Sequence, residues 1–217
     1  MNFVAFDLDG VLINSKQAYI TAFSKAIKML GGKSKVSDLA EPLGRPVREV
    51  LENILPDSEL DVEAYEKLVK HLFSSQEVID SIPVNPKALR TLEDIKSLGS
   101  FRLNLVTNSD KNFTEKILEK HFFSDFFDEV LTADERPIPK ENRLRKIIED
   151  CNAFPRKSFY VGDIPADVYA AREVGLKSIA VYNSFSWVFP EKWKIIEAKP
   201  DFLIEDLSEI ISVISQE

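Results

Sequence analysis

Hydrophobic and polar positions follow two different periods along this 217-residue chain, and the change of period marks its organisation. Phe3-Val-Ala-Phe6 is an unbroken apolar run, which predicts a strand buried on both faces, as in a parallel sheet. After Asn14 the spacing turns helical. Ala18, Ala22, Phe23, Ala26, Ile27 and Leu30 share one face, and Gly31-Gly32 supplies a C-terminal cap. Pro46 opens a second helix burying Val50, Leu51 and Ile54. Residues 61–74 predict a third, through Val62, Tyr65, Leu68, Val69 and Leu72. No strand pattern occurs between Ser15 and Asp80.

Beyond that block the periods alternate. A helix from Pro86 to Gly99 precedes a strand at Phe101–Val106, and a helix over 111–121 precedes a strand at 129–131. A helix over 141–151, a strand over 158–161, a helix from Pro165 to Glu173 and a strand over 178–181 follow. A strand at 202–204 and a helix from Leu207 finish the chain. This alternation predicts an α/β fold, a doubly wound parallel sheet covered by helices on both faces. The helical block is an insert after the first strand. Residues 1–14 and 83–217 would form the core and 15–82 the insert, with hinges near 14–16 and 80–85.

Composition narrows the function. With 28 basic and 36 acidic residues the net charge is −8, which disfavours general attraction to nucleic acid or anionic membrane. No apolar run approaches the roughly 18 residues of a membrane span. The chain opens directly into a strand at Phe3, which leaves no room for a signal peptide. The single cysteine, Cys151, cannot form an internal disulfide, and a reducing cytoplasmic location is expected. A negatively charged substrate would need local cations.

The chemistry gathers where the strands end, since ligands of open parallel sheets bind outside the carboxyl ends of their strands. The first strand runs into Asp7-Leu-Asp9-Gly10, the strand ending at Val106 into Thr107-Asn108-Ser109, and the strand ending at Val161 into Gly162-Asp163, with Asp167 four residues on. Two carboxylates two residues apart at a buried strand tip repel, so one would be protonated unless a cation compensates them. Mg²⁺ suits that need, as a hard ion that takes carboxylate and phosphate oxygens. Asp7 and Asp163 can hold the metal, while Thr107, Asn108 and backbone amides can bind phosphoryl oxygens. Each residue alone also has a structural explanation, in turns, helix caps or the helix macrodipole. Their coincidence at three strand tips favours a site.

Asp7-Leu-Asp9-Gly-Val-Leu, Val106-Thr107-Asn108 and Gly162-Asp163-Ile-Pro-Ala-Asp167 resemble the first, second and fourth motifs of the haloacid dehalogenase superfamily. The helical insert is similar to the small cap of its phosphoglycolate phosphatase and β-phosphoglucomutase branch. The resemblance implies a Rossmann-like core with an all-helical cap, and a phosphatase acting on a small phosphorylated metabolite, as a monomer or homodimer. It implies Asp7 as the nucleophile that forms an aspartyl-phosphate, and Asp9 as the acid and base, with its backbone carbonyl on Mg²⁺. It further implies Asp163 as a metal ligand, Asp167 as a ligand or its support, and Thr107, Asn108 and Gly10 at the phosphoryl group. The dehalogenase members lack an acid at the position of Asp9, which favours phosphoryl chemistry here.

The third motif departs from the branch pattern. The usual lysine before the next helix would fall on Ile138 by ungapped counting, within Arg136-Pro-Ile-Pro-Lys140. Lys140 is favoured for the cation beside Asp7, with Arg136 as the alternative. Asn14 replaces a frequent acid. Arg45, in the turn Gly44-Arg45-Pro46, is either an exposed turn residue or a contact for a second anionic group of the substrate. A phosphomutase and a non-catalytic binding relative are the competing readings.

Overall fold

The computed structural model describes residues 2–31, 44–54, 61–133 and 138–216. Six parallel strands form one sheet, β1 (Asn2–Phe6), β2 (Phe101–Val106), β3 (Glu129–Leu131), β4 (Phe159–Gly162), β5 (Lys177–Val181) and β6 (Phe202–Ile204). Their spatial order is β3-β2-β1-β4-β5-β6. The chain therefore winds outward from β1 on one side, returns, and winds outward on the other. The reversal between β1 and β4 is the topological switch point where such sheets bind ligands.

The period-2 pattern of β1 explains how both faces are covered. Val4 and Phe6 join a core with Leu92 and Ile95 of α5 (Ala88–Leu98) and Phe113 and Ile117 of α6 (Lys111–Lys120). Phe3 and Ala5 face the other way, onto Leu144 and Ile147 of α7 (Lys140–Asp150) and Ala170 and Ala171 of α8 (Pro165–Glu173). All four β1 residues are fully buried. This is the cost-free place for an apolar run and a costly one for the carboxylates that follow it.

Between β1 and α5 the helices among the described residues are α1 (Lys16–Met29), α2 (Val47–Ile54), α3 (Val62–Phe73) and α4 (Gln76–Ser81), with isolated β-bridges joining Ile13 to Asp9 and Val84. Their apolar faces, including Phe23, Leu51, Tyr65 and Phe73, share one cluster with the Val4 face of the sheet. Where the chain leaves the sheet it runs beside the segment that returns. The Asn14 amide donates to the Pro83 carbonyl at 2.8 Å, and the Asn85 amide to the Leu12 carbonyl at 2.8 Å. The short helices α4 and α9 (Lys192–Glu197) were not expected from the sequence. Six residues are too few for a 3.6-residue period to stand out.

Candidate active site

Asp7 follows β1 directly, and its amide donates to the Val161 carbonyl at 2.8 Å, so the central pairing of the sheet fixes its backbone. Its side chain is 8% exposed. Lys140, the first residue of α7, brings Nζ to 2.7 Å from Asp7 Oδ2 and 2.6 Å from Asp167 Oδ1. The ammonium is as buried as the acids it bridges, and it lies 5.5 Å from the centre of the Tyr160 ring. Ile138, where ungapped counting would put a lysine, is 55% exposed. Arg136 lies outside the described residues.

Asp167 completes the loop after β4. Its Oδ2 accepts from the amides of Asp163 and Ile164 at 3.0 and 3.2 Å, while Oδ1 holds Lys140. Gly162 is required at this approach, because a Cβ there would stand 2.3 Å from the Asp167 Cβ. Asp163 is held by the Trp187 amide, which donates to Oδ2 at 2.5 Å.

The Gly10 amide donates to the Ile13 carbonyl at 2.9 Å. Gly10 also supplies space and shape. Its φ is +77°, and a Cβ would lie 2.1 Å from Asp163 Oδ2.

Asp9 sits two residues beyond Asp7 in opposite surroundings. Its Oδ1 accepts from the Ser15 hydroxyl. Its Oδ2 accepts from Ser109 Oγ at 2.5 Å and more distantly from Thr107 Oγ1 at 3.4 Å. Ser109 in turn contacts the Tyr19 hydroxyl at 3.2 Å. Asp110, not Ser109, caps α6, accepting from the Phe113 amide at 3.1 Å. Asn108 gives its amide nitrogen to the Gly44 carbonyl at 2.8 Å and receives Arg143 on its carbonyl oxygen. Arg143, one turn into α7, also donates to the Thr107 carbonyl. Sequence reasoning missed Ser15, Tyr19 and Arg143, whose partners are brought together only by folding. The helical spacing that places Lys140 and Arg143 on one face was the available signal for the last.

The electrostatics follow from this burial. Burial pushes the Asp7 carboxyl up to about 7, against the opposing charge of Lys140 and reinforced by Asp167 and Asp9. Asp163 is pushed well above the ordinary carboxylate range by burial and then by Asp167. Burial also raises Asp9, while the Ser109 and Ser15 hydroxyls draw it back. For Lys140, burial disfavours the charge, but Asp167 and Asp7 outweigh it and hold the ammonium protonated well beyond its usual range.

One lysine thus faces three acids. An oxygen from each of Asp7, Asp163 and Asp167 lies within 4.8 Å of the others, and all three residues are buried. An all-carboxylate donor set short of positive charge fits a hard divalent cation such as Mg²⁺. The Asp9 carboxylate is outside this group and is turned to its hydroxyl donors. Beside Asp7, Asp9 and Asp163 is a recess bordered by Tyr19, Gly44, Arg45, Asn108, Ile164 and Trp187. Arg45 is exposed at its mouth.

The family model described as haloacid dehalogenase-like hydrolase matches residues 4–181. A phosphoglycolate phosphatase of Aquifex aeolicus is 29% identical over 216 residues, covering 98% of this chain and 96% of its own. The pyrophosphatase PpaX of Bacillus mycoides is 24% identical over 221 residues, covering 100% and 98%. Among solved structures, a predicted phosphatase from Clostridium acetobutylicum superposes with a TM-score of 0.85 at 21% identity, covering 100% of this chain and 99% of that one.

Proposed function

The chain belongs to the haloacid dehalogenase-like hydrolase family, and from that premise we propose that it is a Mg²⁺-dependent phosphatase that hydrolyses a small phosphorylated metabolite through an aspartyl-phosphate on Asp7. The observation that carries the reading is the contrast between two carboxylates on one strand tip. Asp7 lies against a buried ammonium, and Asp9 against hydroxyl donors. Carboxylates kept in unlike surroundings are suited to unlike tasks.

In this reading an Asp7 oxygen attacks phosphorus and the bond to the leaving oxygen breaks. Asp9 gives that oxygen a proton, then takes one from the water that hydrolyses the acyl phosphate. Asp7, Asp163 and the Asp9 backbone carbonyl would hold Mg²⁺, with Asp167 as a further ligand or as support. Bound there, the ion neutralises phosphoryl charge. Lys140 adds a fixed positive charge beside Asp7, and Thr107 and Asn108 hold the phosphoryl oxygens. Residues 15–82 serve as a cap over the recess, hinged where Asn14 and Asn85 bond the neighbouring crossing of the chain. Arg45 offers a contact for a second anionic group of the substrate.

The ion pair of Lys140 with Asp7 supports the catalytic reading over a non-catalytic relative. The single cysteine supports a cytoplasmic enzyme, acting as a monomer or homodimer. Phosphate release from a panel of small phosphomonoesters, with phosphoglycolate and pyrophosphate included, tests the reading. Release should cease on chelation and return with Mg²⁺. Turnover indifferent to chelation, or none across the panel, would sink it.

A further inference from the structure

The mechanism above uses the acids of the strand tips but leaves one contact at their edge unexplained. Residues 183–191, between β5 and α9, form a strap tied by its own hydrogen bonds. The Asn183 amide donates to Ser186 Oγ at 3.0 Å, Ser186 Oγ to the Val181 carbonyl at 2.8 Å, and the Phe185 amide to Asn183 Oδ1 at 2.9 Å. The strap presents the Trp187 amide to Asp163 Oδ2 at 2.5 Å, and no hydrogen bond to Asp163 Oδ1 occurs among the described residues.

Lys16 holds the far side of that peptide segment. Its Nζ donates to the Trp187 carbonyl at 2.6 Å and reaches the Phe189 carbonyl at 3.4 Å. Lys16 is the first residue of α1 and follows Ser15, whose hydroxyl donates to Asp9. The Trp187 ring packs edge-on to Tyr19, also on α1, with centroids 5.2 Å apart. The base of the insert therefore grips the strap from which Asp163 takes its hydrogen bond. A long-range cation on two carbonyls, 171 and 173 residues away in sequence, is a specific tie rather than a local cap.

We propose that Lys16 is a positioning residue for Asp163: by anchoring the Trp187 carbonyl it keeps the Trp187 amide on one carboxylate oxygen and leaves the other for a divalent cation. The inference rests on the proposed metal site. Groups that orient a metal ligand typically change affinity by about 10–100-fold when removed. Lys16 carries out this task from the insert, so ligand geometry depends on how the insert is seated.

Direct counting of bound Mn²⁺ by electron paramagnetic resonance tests the proposal without substrate or turnover. The parent chain should bind Mn²⁺ in competition with Mg²⁺, and Asp163→Asn should abolish that binding. Lys16→Met should raise the Mn²⁺ dissociation constant about tenfold, and Lys16→Arg, which can still donate to both carbonyls, should restore it to within about threefold. The thermal midpoint of Lys16→Met should change little, since Lys16 is only half-buried. Lys16→Gln, too short to reach both carbonyls, substitutes if the methionine variant does not fold. Parent-like Mn²⁺ affinity in whichever variant folds overturns the role of Lys16 while leaving the metal site standing. A parent that binds no Mn²⁺, or an Asp163→Asn that binds as well as the parent, overturns the metal site and this inference together.

Discussion

The sheet and the helical insert build facing walls of one recess by different means. On the sheet side, Asp7, Asp9, Thr107, Ser109, Lys140, Asp163 and Asp167 are all buried, and each is tied by hydrogen bonds to the others or to the strand-tip backbone. On the insert side, Tyr19 is buried, but Gly44 is only half-buried and Arg45 is exposed. The walls meet through polar contacts of Asn108 with Gly44, Lys16 with Trp187, Ser15 with Asp9 and Tyr19 with Ser109. In the proposed reading, the buried groups of the sheet side hold charge in a fixed place, and the exposed Arg45 of the insert side meets the variable part of the substrate. The charged cluster is costly to bury, and the central strands of the sheet supply the surroundings that keep it assembled.

If this division is right, damage should scale with the wall that is altered. Lys140→Met should be the most severe, lowering kcat on the order of 10³-fold by removing the charge beside Asp7. It should also destabilise the fold by about 3–5 kcal/mol in the metal-free state, because Asp7 and Asp167 lose their only ammonium partner among the described residues. Steady-state kinetics and chemical denaturation read the two effects separately. Asp9→Asn should lower kcat by about 10²–10⁴-fold, the usual contribution of general acid–base catalysis. Metal-binding affinity should be nearly unchanged, since the Asp9 carboxylate lies outside the acidic group. On the opposite wall, Arg45→Ala should raise KM about tenfold with kcat held within about twofold, the mark of lost ground-state binding. An equal fall in kcat would break the comparison, because it would put Arg45 with the chemistry.

A smaller effect should appear in stability against pH. The Asp7 carboxyl is raised from 3.8 to about 7 by burial, so between those values the folded metal-free chain holds a proton that the unfolded chain has lost. Its contribution is fully present below about pH 4 and is lost as pH rises through about 7. Asp7→Asn, neutral at every pH, should flatten this part of the slope, so that the variant gains on the parent between pH 4 and 8. Thermal melts in chelator would show it, and added Mg²⁺ should raise the parent midpoint at pH 8 more than that of the variant.

Much of the sheet side was legible in the sequence, because the chemistry follows each strand directly. The unbroken run before Asp7 and the strand at Phe101–Val106 lie where their apolar periods put them. The charge problem posed by Asp7 and Asp9 led to a cation, and the loop ending in Lys140 offered one. What the sequence left open depends on contacts between distant residues. Nothing local to Ser15, Tyr19 or Trp187 reveals that one donates to Asp9, one touches Ser109 and one bonds Asp163 through its amide. The aromatic stretch around Trp187 reads as packing that could border the site, since it follows a strand tip; the ring packs on Tyr19 and borders the recess, and the Trp187 amide bonds Asp163. Nor does the sequence show that the missing side chain of Gly10 is what admits Asp163 beside it.

Everything proposed for the site turns on Asp7 carrying the phosphoryl group. The direct measurement is mass spectrometry of the peptide containing residues 3–12 after rapid acid quench during turnover of a phosphorylated substrate with Mg²⁺. The account predicts a phosphoryl adduct on Asp7 that is labile to hydroxylamine, and an Asp7→Asn chain that carries none and does not turn over. An unmodified Asp7 under active turnover, together with an Asp7→Asn chain of parental rate, would contradict it.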